Sequence, residues 1–166
     1  MDYFFAGREK HFQAITHREQ APGLNDQSPI HYSFMQHVHH LRVRYSETDA
    51  MGTYYNSRAL EWFECGRTEL CRATGKPYTQ WEADGVSLPL IESHVEYLGK
   101  AQYDDLLKIT VTAKMAGRVR MRFDVMIEQA ETGRPVCRGY TIQAITDTAG
   151  KPIRPPTWLI ELFDKD

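Results

Sequence analysis

Leu107-Lys108-Ile109-Thr110-Val111-Thr112-Ala113-Lys114 and, just past Gly117, Val119-Arg120-Met121-Arg122-Phe123-Asp124-Val125-Met126-Ile127 place an apolar side chain at every second position. A period of two is that of a strand with one face covered and the other wet, the mark of an antiparallel sheet. Gly117 and Glu131-Thr132-Gly133 supply tight links, so neighbouring runs are expected to pair with each other. Working outward, strand-like runs cover 88–98, 104–115, 118–131 and 135–147, and a shorter one covers 38–46. Together they exceed the ~20–25% of strand usual in globular chains, so the sheet dominates the fold.

Between the first run and the other four the period changes. Ala59, Trp62, Phe63, Gly66, Leu70 and Ala73 recur at three and four, with Glu61, Glu64, Thr68 and Arg72 opposite. This predicts an amphipathic helix over 56–74, with Asn56 or Ser57 as N-cap and Gly75 then Pro77 as the stop. Gly66 in the apolar stripe costs about 1 kcal/mol relative to alanine, which a close helix–sheet approach offsets. Shorter helices are expected at 78–84 and 158–163. The economical architecture is α+β: a curved five-stranded antiparallel sheet wrapped around one long helix.

Residues 1–36 differ in character, with breakers at Pro22-Gly23 and Ser28-Pro29 and no sustained period. They are read as an N-terminal extension of unknown role, with a short helix at 8–19, ahead of a single domain over 37–166. The whole chain of 166 residues carries 20 basic and 22 acidic side chains, a formal charge of −2. That leaves no overall basic field to hold nucleic acid. No run approaches the ~18 apolar residues of a membrane span, and the first residues lack the basic-then-apolar order of a secretory signal. Cys65, Cys71 and Cys137 include no CxxC pair, as expected of reduced thiols in a cytoplasmic protein.

The most informative segment is Arg44-Tyr45-Ser46-Glu47-Thr48-Asp49-Ala50-Met51-Gly52-Thr53-Tyr54-Tyr55-Asn56, continued by Glu61-Trp62-Phe63-Glu64-Cys65-Gly66-Arg67-Thr68-Glu69-Leu70. Tyr-x-Glu-Thr-Asp-Ala-x-Gly, an aromatic pair and a helix reading Trp-Phe-Glu-x-x-Arg-Thr-Glu resemble the hotdog-fold acyl-CoA thioesterases of the 4-hydroxybenzoyl-CoA thioesterase type. The resemblance covers residues 38–163. It implies that Asp49 is the catalytic carboxylate, as nucleophile or general base. It also implies that the backbone N–H of Asn56, at the start of the helix, polarises the thioester carbonyl. The chemistry is reasonable: a helix start offers unbonded N–H groups and about half a positive charge, and one such donor to a developing oxyanion is worth ~10²–10³ in rate. The local alternative for Asp49 is a turn residue bonding its own backbone.

The resemblance further implies an acyl-CoA substrate, no metal or other cofactor, and a homo-oligomer (dimer or tetramer) with sites between subunits. Tyr54 and Tyr55 are placed at the site entrance, and Arg118, Arg120 and Arg122 are candidates for the phosphates of coenzyme A. Where many relatives carry His after the glycine this chain has Thr53, and where the Tol–Pal branch carries His it has Asn56. Neither assisting imidazole is present. A non-catalytic module binding acyl thioesters or an acyl carrier protein is the alternative function, and a dehydratase, which needs a His beside the carboxylate, is a third.

Weaker signals have local explanations. Glu64 matches a helix glutamate that another hotdog branch uses in catalysis, but an ion pair with Arg67 one turn on is the simpler expectation. His37 and His39 share a strand face without a third metal ligand at a recognisable spacing. A nucleophilic Cys65 or Cys71 would need a paired His that the sequence does not identify.

Overall fold

A computed structural model describes residues 35–162; the expected helix at 8–19, nearly all of the extension, and Phe163 lie outside them. Five strands, β1 (Met35–Arg42), β2 (Leu90–Tyr97), β3 (Leu106–Met115), β4 (Arg120–Gln129) and β5 (Pro135–Ala144), form one antiparallel sheet in the order β1-β3-β4-β5-β2. One long helix, α1 (Arg58–Ala73), packs on β1, β3 and β4. Two short helices, α2 (Tyr78–Ala83) and α3 (Thr157–Glu161), complete the α+β arrangement. It is the expected hotdog layout.

The alternation read from the sequence is the division between core and solvent. Leu107, Ile109, Val111 and Ala113 of β3 and Met121, Phe123, Val125 and Ile127 of β4 are all buried. Their polar neighbours pair on the other face, Lys108 with Glu128 and Lys114 with Asp124. From α1 the buried stripe is Ala59, Trp62, Phe63, Gly66, Leu70 and Cys71, while Ala73 is exposed. A Cβ on Gly66 would stand 2.5 Å from Val111 Cγ2 and 2.9 Å from Ile109 Cγ2. The helix therefore lies closer to the sheet than any side-chain-bearing residue would permit, the contact that offsets glycine's cost in a helix.

Two expectations need correction. The first strand runs over 35–42, not 38–46, because Tyr45–Glu47 turn into a short 3-10 segment when the Glu47 carboxylate accepts the Arg44 N–H at 2.7 Å. Strands β3, β4 and β5 do pair in sequence order, but β2 pairs with β5 at the far edge and β1 with β3. The segment after β2 therefore crosses the end of the sheet. Leu98 N–H and Gly99 N–H donate to Val136 O at one side, and Val43 N–H donates to Asp105 O at the other. Ala101, midway, is fully buried. This crossing segment is the floor on which the loop before α1 rests.

Candidate active site

The loop between the 3-10 turn and α1 is a narrow ladder. Tyr55 N–H donates to Glu47 O at 2.8 Å, Thr48 bridges Tyr54, and Asp49 N–H donates to Thr53 O at 2.9 Å. Gly52, at φ +68, closes the tip, and its N–H donates to Asp49 O at 3.0 Å; a glycine reaches that left-handed conformation without steric cost. Below, Tyr54 N–H donates to Ala101 O at 2.8 Å, and Thr53 Oγ1 exchanges bonds with both backbone groups of Ala101. Thr53 thus fastens the loop to the crossing segment.

Glu47 holds the other side, a role not visible in its sequence context. It is 1% exposed. Its carboxylate accepts Arg44 N–H at 2.7 Å, Arg44 Nη2 at 2.9 Å and Trp62 Nε1 at 3.1 Å, tying the loop to the first turns of α1. Burial by itself would raise the Glu47 pKa. The bonds from the Arg44 side chain and backbone and from Trp62 outweigh it and hold the carboxyl below its ordinary value.

Asp49, two residues on, is half-buried, and its Oδ1 accepts Met51 N–H at 2.8 Å, the local turn bond. Its Oδ2 has no partner among the described residues. Asn56 stands at the opposite end of the ladder, on the other strand, where the chain enters α1. Ser57 occupies the cap position with helical backbone angles, and its side chain makes no capping bond. The N–H groups of Asn56 and Ser57 donate to nothing among the described residues, while those of Arg58 and Ala59 turn back to Tyr55 O and Asn56 O. Tyr97 of β2 fixes this turn by donating its hydroxyl to Asn56 O at 3.1 Å.

The other expected site residues divide. Tyr54 is part of the core rather than of an entrance: it is buried, with its ring 4.9 Å from that of Trp62. Tyr55 is exposed. Arg118 lies in the β3–β4 turn and Arg120 at the start of β4, both exposed. Arg122 is engaged by Asp124 at 2.8 Å and stacks over the Tyr140 ring at 3.7 Å. The Glu64–Arg67 ion pair does not form. Glu64 is exposed, and Arg67 instead bonds Thr141 of β5. His37 and His39 do share the half-buried side of β1. Burial pushes all three thiols up, Cys71 to about 11 and Cys137 to about 12, so each is protonated at neutral pH and poorly nucleophilic.

Residues 43–163 match the family model of the Thioesterase-like superfamily. The chain belongs to that superfamily. Its enzyme class is thus that of the thioester hydrolases. Among curated members of this superfamily, the chain is 37% identical over 65 residues to the putative acyl-CoA thioesterase YneP of Bacillus subtilis, spanning 39% of this chain and 47% of that protein. It is 30% identical over 91 residues to the acyl-CoA thioester hydrolase YbgC of Escherichia coli O6:H1, spanning 55% of this chain and 68% of that one. The solved structure of Slr0204, a 1,4-dihydroxy-2-naphthoyl-CoA thioesterase from Synechocystis, superposes with a TM-score of 0.73. That match covers 78% of this chain and 96% of the other at 18% identity, and shows the shared fold.

Proposed function

We propose that this superfamily member hydrolyses acyl-CoA thioesters to a carboxylic acid and free coenzyme A, with Asp49 as the reacting carboxylate and the Asn56 N–H as oxyanion donor. The observation that carries this reading is the pairing of two unused groups on one pinned ladder: a carboxylate with a free oxygen, and a helix entrance whose N–H groups no side chain caps. In this reading the thioester's carbonyl oxygen meets the Asn56 N–H and Asp49 acts at its carbon. Negative charge gathers on that oxygen during attack, and fixed donors in place beforehand stabilise it without reorganisation. Asp49 acts either by attacking the carbonyl, so that the C–S bond breaks, the coenzyme A thiolate leaves and water opens the resulting anhydride, or by taking the proton of a water whose attack expels the same thiolate. Coenzyme A enters only as part of the substrate. The exposed Arg118 and Arg120 are the arginines left to meet its phosphates, Arg122 being held by Asp124.

A second copy of the chain completes the site in this reading. Strand β2 is one of the two edges of the sheet, and its first five residues are exposed on both faces, Leu90 and Ile91 at 53% each. An edge strand with apolar exposed residues is a template for pairing, and joining two such edges gives a dimer with one continuous sheet. Tyr97 lies on the same strand and touches Asn56, so pairing there brings the partner beside the helix entrance.

The test is thiol release from a panel of alkyl- and aryl-CoA thioesters, with light scattering for the mass in solution. Wild-type protein is expected to release thiol as a dimer or tetramer, and Asp49→Ala to lose about 10²–10⁴ in kcat. Saturable binding without thiol release would make the chain a binding module. Full turnover by a folded Asp49→Ala would remove Asp49 from the reaction.

A further inference from the structure

The buried residues of β3 and β4 are all apolar, but the inner face of β5 reads Cys137, Gly139, Thr141, Gln143. Thr141 and Gln143 are 1% and 2% exposed. Gln143 borders a cavity of about 140 Å³ that is lined also by Glu64, Arg67, Thr68, Cys71, Tyr78, Leu88 and Phe123. Neither Asp49 nor Asn56 lines it, and Arg67 is eleven residues past Asn56, about 16 Å along the helix.

The polar groups here are not satisfied by one another. Arg67 Nη1 and Gln143 Nε2 both donate to Thr141 Oγ1, at 3.3 and 3.1 Å, and Gln143 Oε1 is left buried with no partner among the described residues. Turning the amide over lets the Thr141 hydroxyl donate to Oε1 and leaves Nε2 as the orphan instead. In either orientation one amide atom lacks a partner. The turned form is better matched, since the hydroxyl then accepts from Arg67 and donates to Gln143 in a single chain. Among the described residues Arg67 has no carboxylate within ion-pair distance; Glu64, the one acidic residue lining the cavity, is exposed and unpaired with it. Burial depresses the Arg67 pKa, and the Glu64 carboxylate, beyond ion-pair distance, offsets only part of that effect. The Tyr78 hydroxyl accepts Leu88 N–H at 2.9 Å and keeps its own proton to donate. Buried polar groups in folded proteins are rarely left without partners, and an orphan of this kind costs about 1–3 kcal/mol.

We propose that this cavity is a carboxylate-binding site, in which Arg67 pairs with the anion, the Gln143 amide and Tyr78 hydroxyl complete its hydrogen bonds, and Phe123 and Leu88 hold a short apolar body. The volume suits a body about the size of a benzene ring, which fills a cavity of about 150 Å³. The carboxylate has two sources of the same chemistry: a free small acid, or the far end of a dicarboxylic acyl group whose thioester lies elsewhere. Only the second rests on the reading of Asp49.

Calorimetric titration of the full chain with butyrate and benzoate, against butyramide and benzamide of the same shape, tests the site. The acids are expected to bind at least about tenfold more tightly than the amides, and Arg67→Gln to lose at least about tenfold. If Arg67→Gln does not fold, Gln143→Leu serves instead. It removes the orphaned amide, so it should weaken acid binding with its melting temperature held or raised. Equal binding of acids and amides, or no binding of either at about 50 mM, means the cavity holds water only and overturns the proposal. The source is read from kcat/KM for an ω-carboxyacyl-CoA relative to the unsubstituted acyl-CoA of equal length. A fall of about tenfold in that ratio for Arg67→Gln identifies the acyl end; an unchanged ratio with free-acid binding lost identifies a separate ligand. If wild-type protein releases no thiol from any thioester, the proposed activity fails, while the titration still decides the cavity.

Discussion

Glu47 and Asp49 stand two residues apart in one loop, and the fold treats them in opposite ways. The Glu47 carboxylate is buried and takes three hydrogen bonds, from Arg44 twice and from Trp62. Asp49 is half-buried and takes one, from Met51, leaving an oxygen free. A carboxylate whose lone pairs are spent on protein donors holds structure; one with capacity to spare can act on something from outside. The motif therefore combines a clamp and a reagent, and residue type does not tell them apart. The number of donors that converge on each one does.

The largest expected effect separates them directly. Asp49→Asn keeps an oxygen for the Met51 N–H, so the loop survives and stability should change by less than about 0.5 kcal/mol. Loss of the anion should nonetheless lower kcat by about 10²–10⁴. Thermal unfolding together with the thiol-release assay measures both; a large stability loss would make Asp49 a second clamp. Glu47→Gln should behave in reverse, lowering stability by about 1–3 kcal/mol, because the amide keeps only one acceptor oxygen and leaves either the Arg44 N–H or the buried Trp62 N–H without a partner. Arg44 is largely exposed, so little of that loss is Coulombic. A drop of several degrees in melting temperature is the readout, and a neutral outcome would break the comparison.

Acid sharpens it further. The folded-state pKa of Glu47 lies below the ordinary glutamate value of about 4.3. Its contribution to stability is thus complete above about pH 4.3 and is lost as pH falls through the lower folded value. Unfolding curves between about pH 6 and 3 should lose stability with that limb in the wild type, and the limb should be shallower in Glu47→Gln. The smallest effect is expected from Tyr97→Phe, which removes the bond to Asn56 O. A stability change of about 0.5–1.5 kcal/mol and a kcat lowered less than tenfold would show that this hydroxyl steadies the helix entrance without reacting.

Elements set by local periodicity are legible in the order of residues: α1 and its Gly66 contact, the faces of β3 and β4, and the pairing of β3, β4 and β5 through tight links. The place of β2 is not, because an antiparallel strand pairs equally well with any neighbour of matching pattern. The order β1-β3-β4-β5-β2 depends on how residues 98–105 cross the sheet end. Asp49 and the Asn56 N–H are singled out only through the resemblance that residues 44–70 carry; by local pattern alone Asp49 reads as a turn acid and Asn56 as a helix start. Glu47 as a clamp cannot, because its partner Trp62 is fifteen residues away. The Glu64–Arg67 pair, sound as a rule for an isolated helix, gives way to a partner from β5 that no helical spacing reveals.

The amino-acid order alone determined which residues lie in strands and which in the helix, which faces are covered, and that a carboxylate sits in a turn just before a helix start. Each of these follows from backbone geometry over a few residues. Tertiary structure alone decided that Arg67 meets Thr141, 74 positions later, that Gln143 of β5 lines a cavity beside α1, and that Glu47 is enclosed while Asp49 is not. Such contacts join segments distant along the chain, and they exist only once the loops between them have closed and the core has packed.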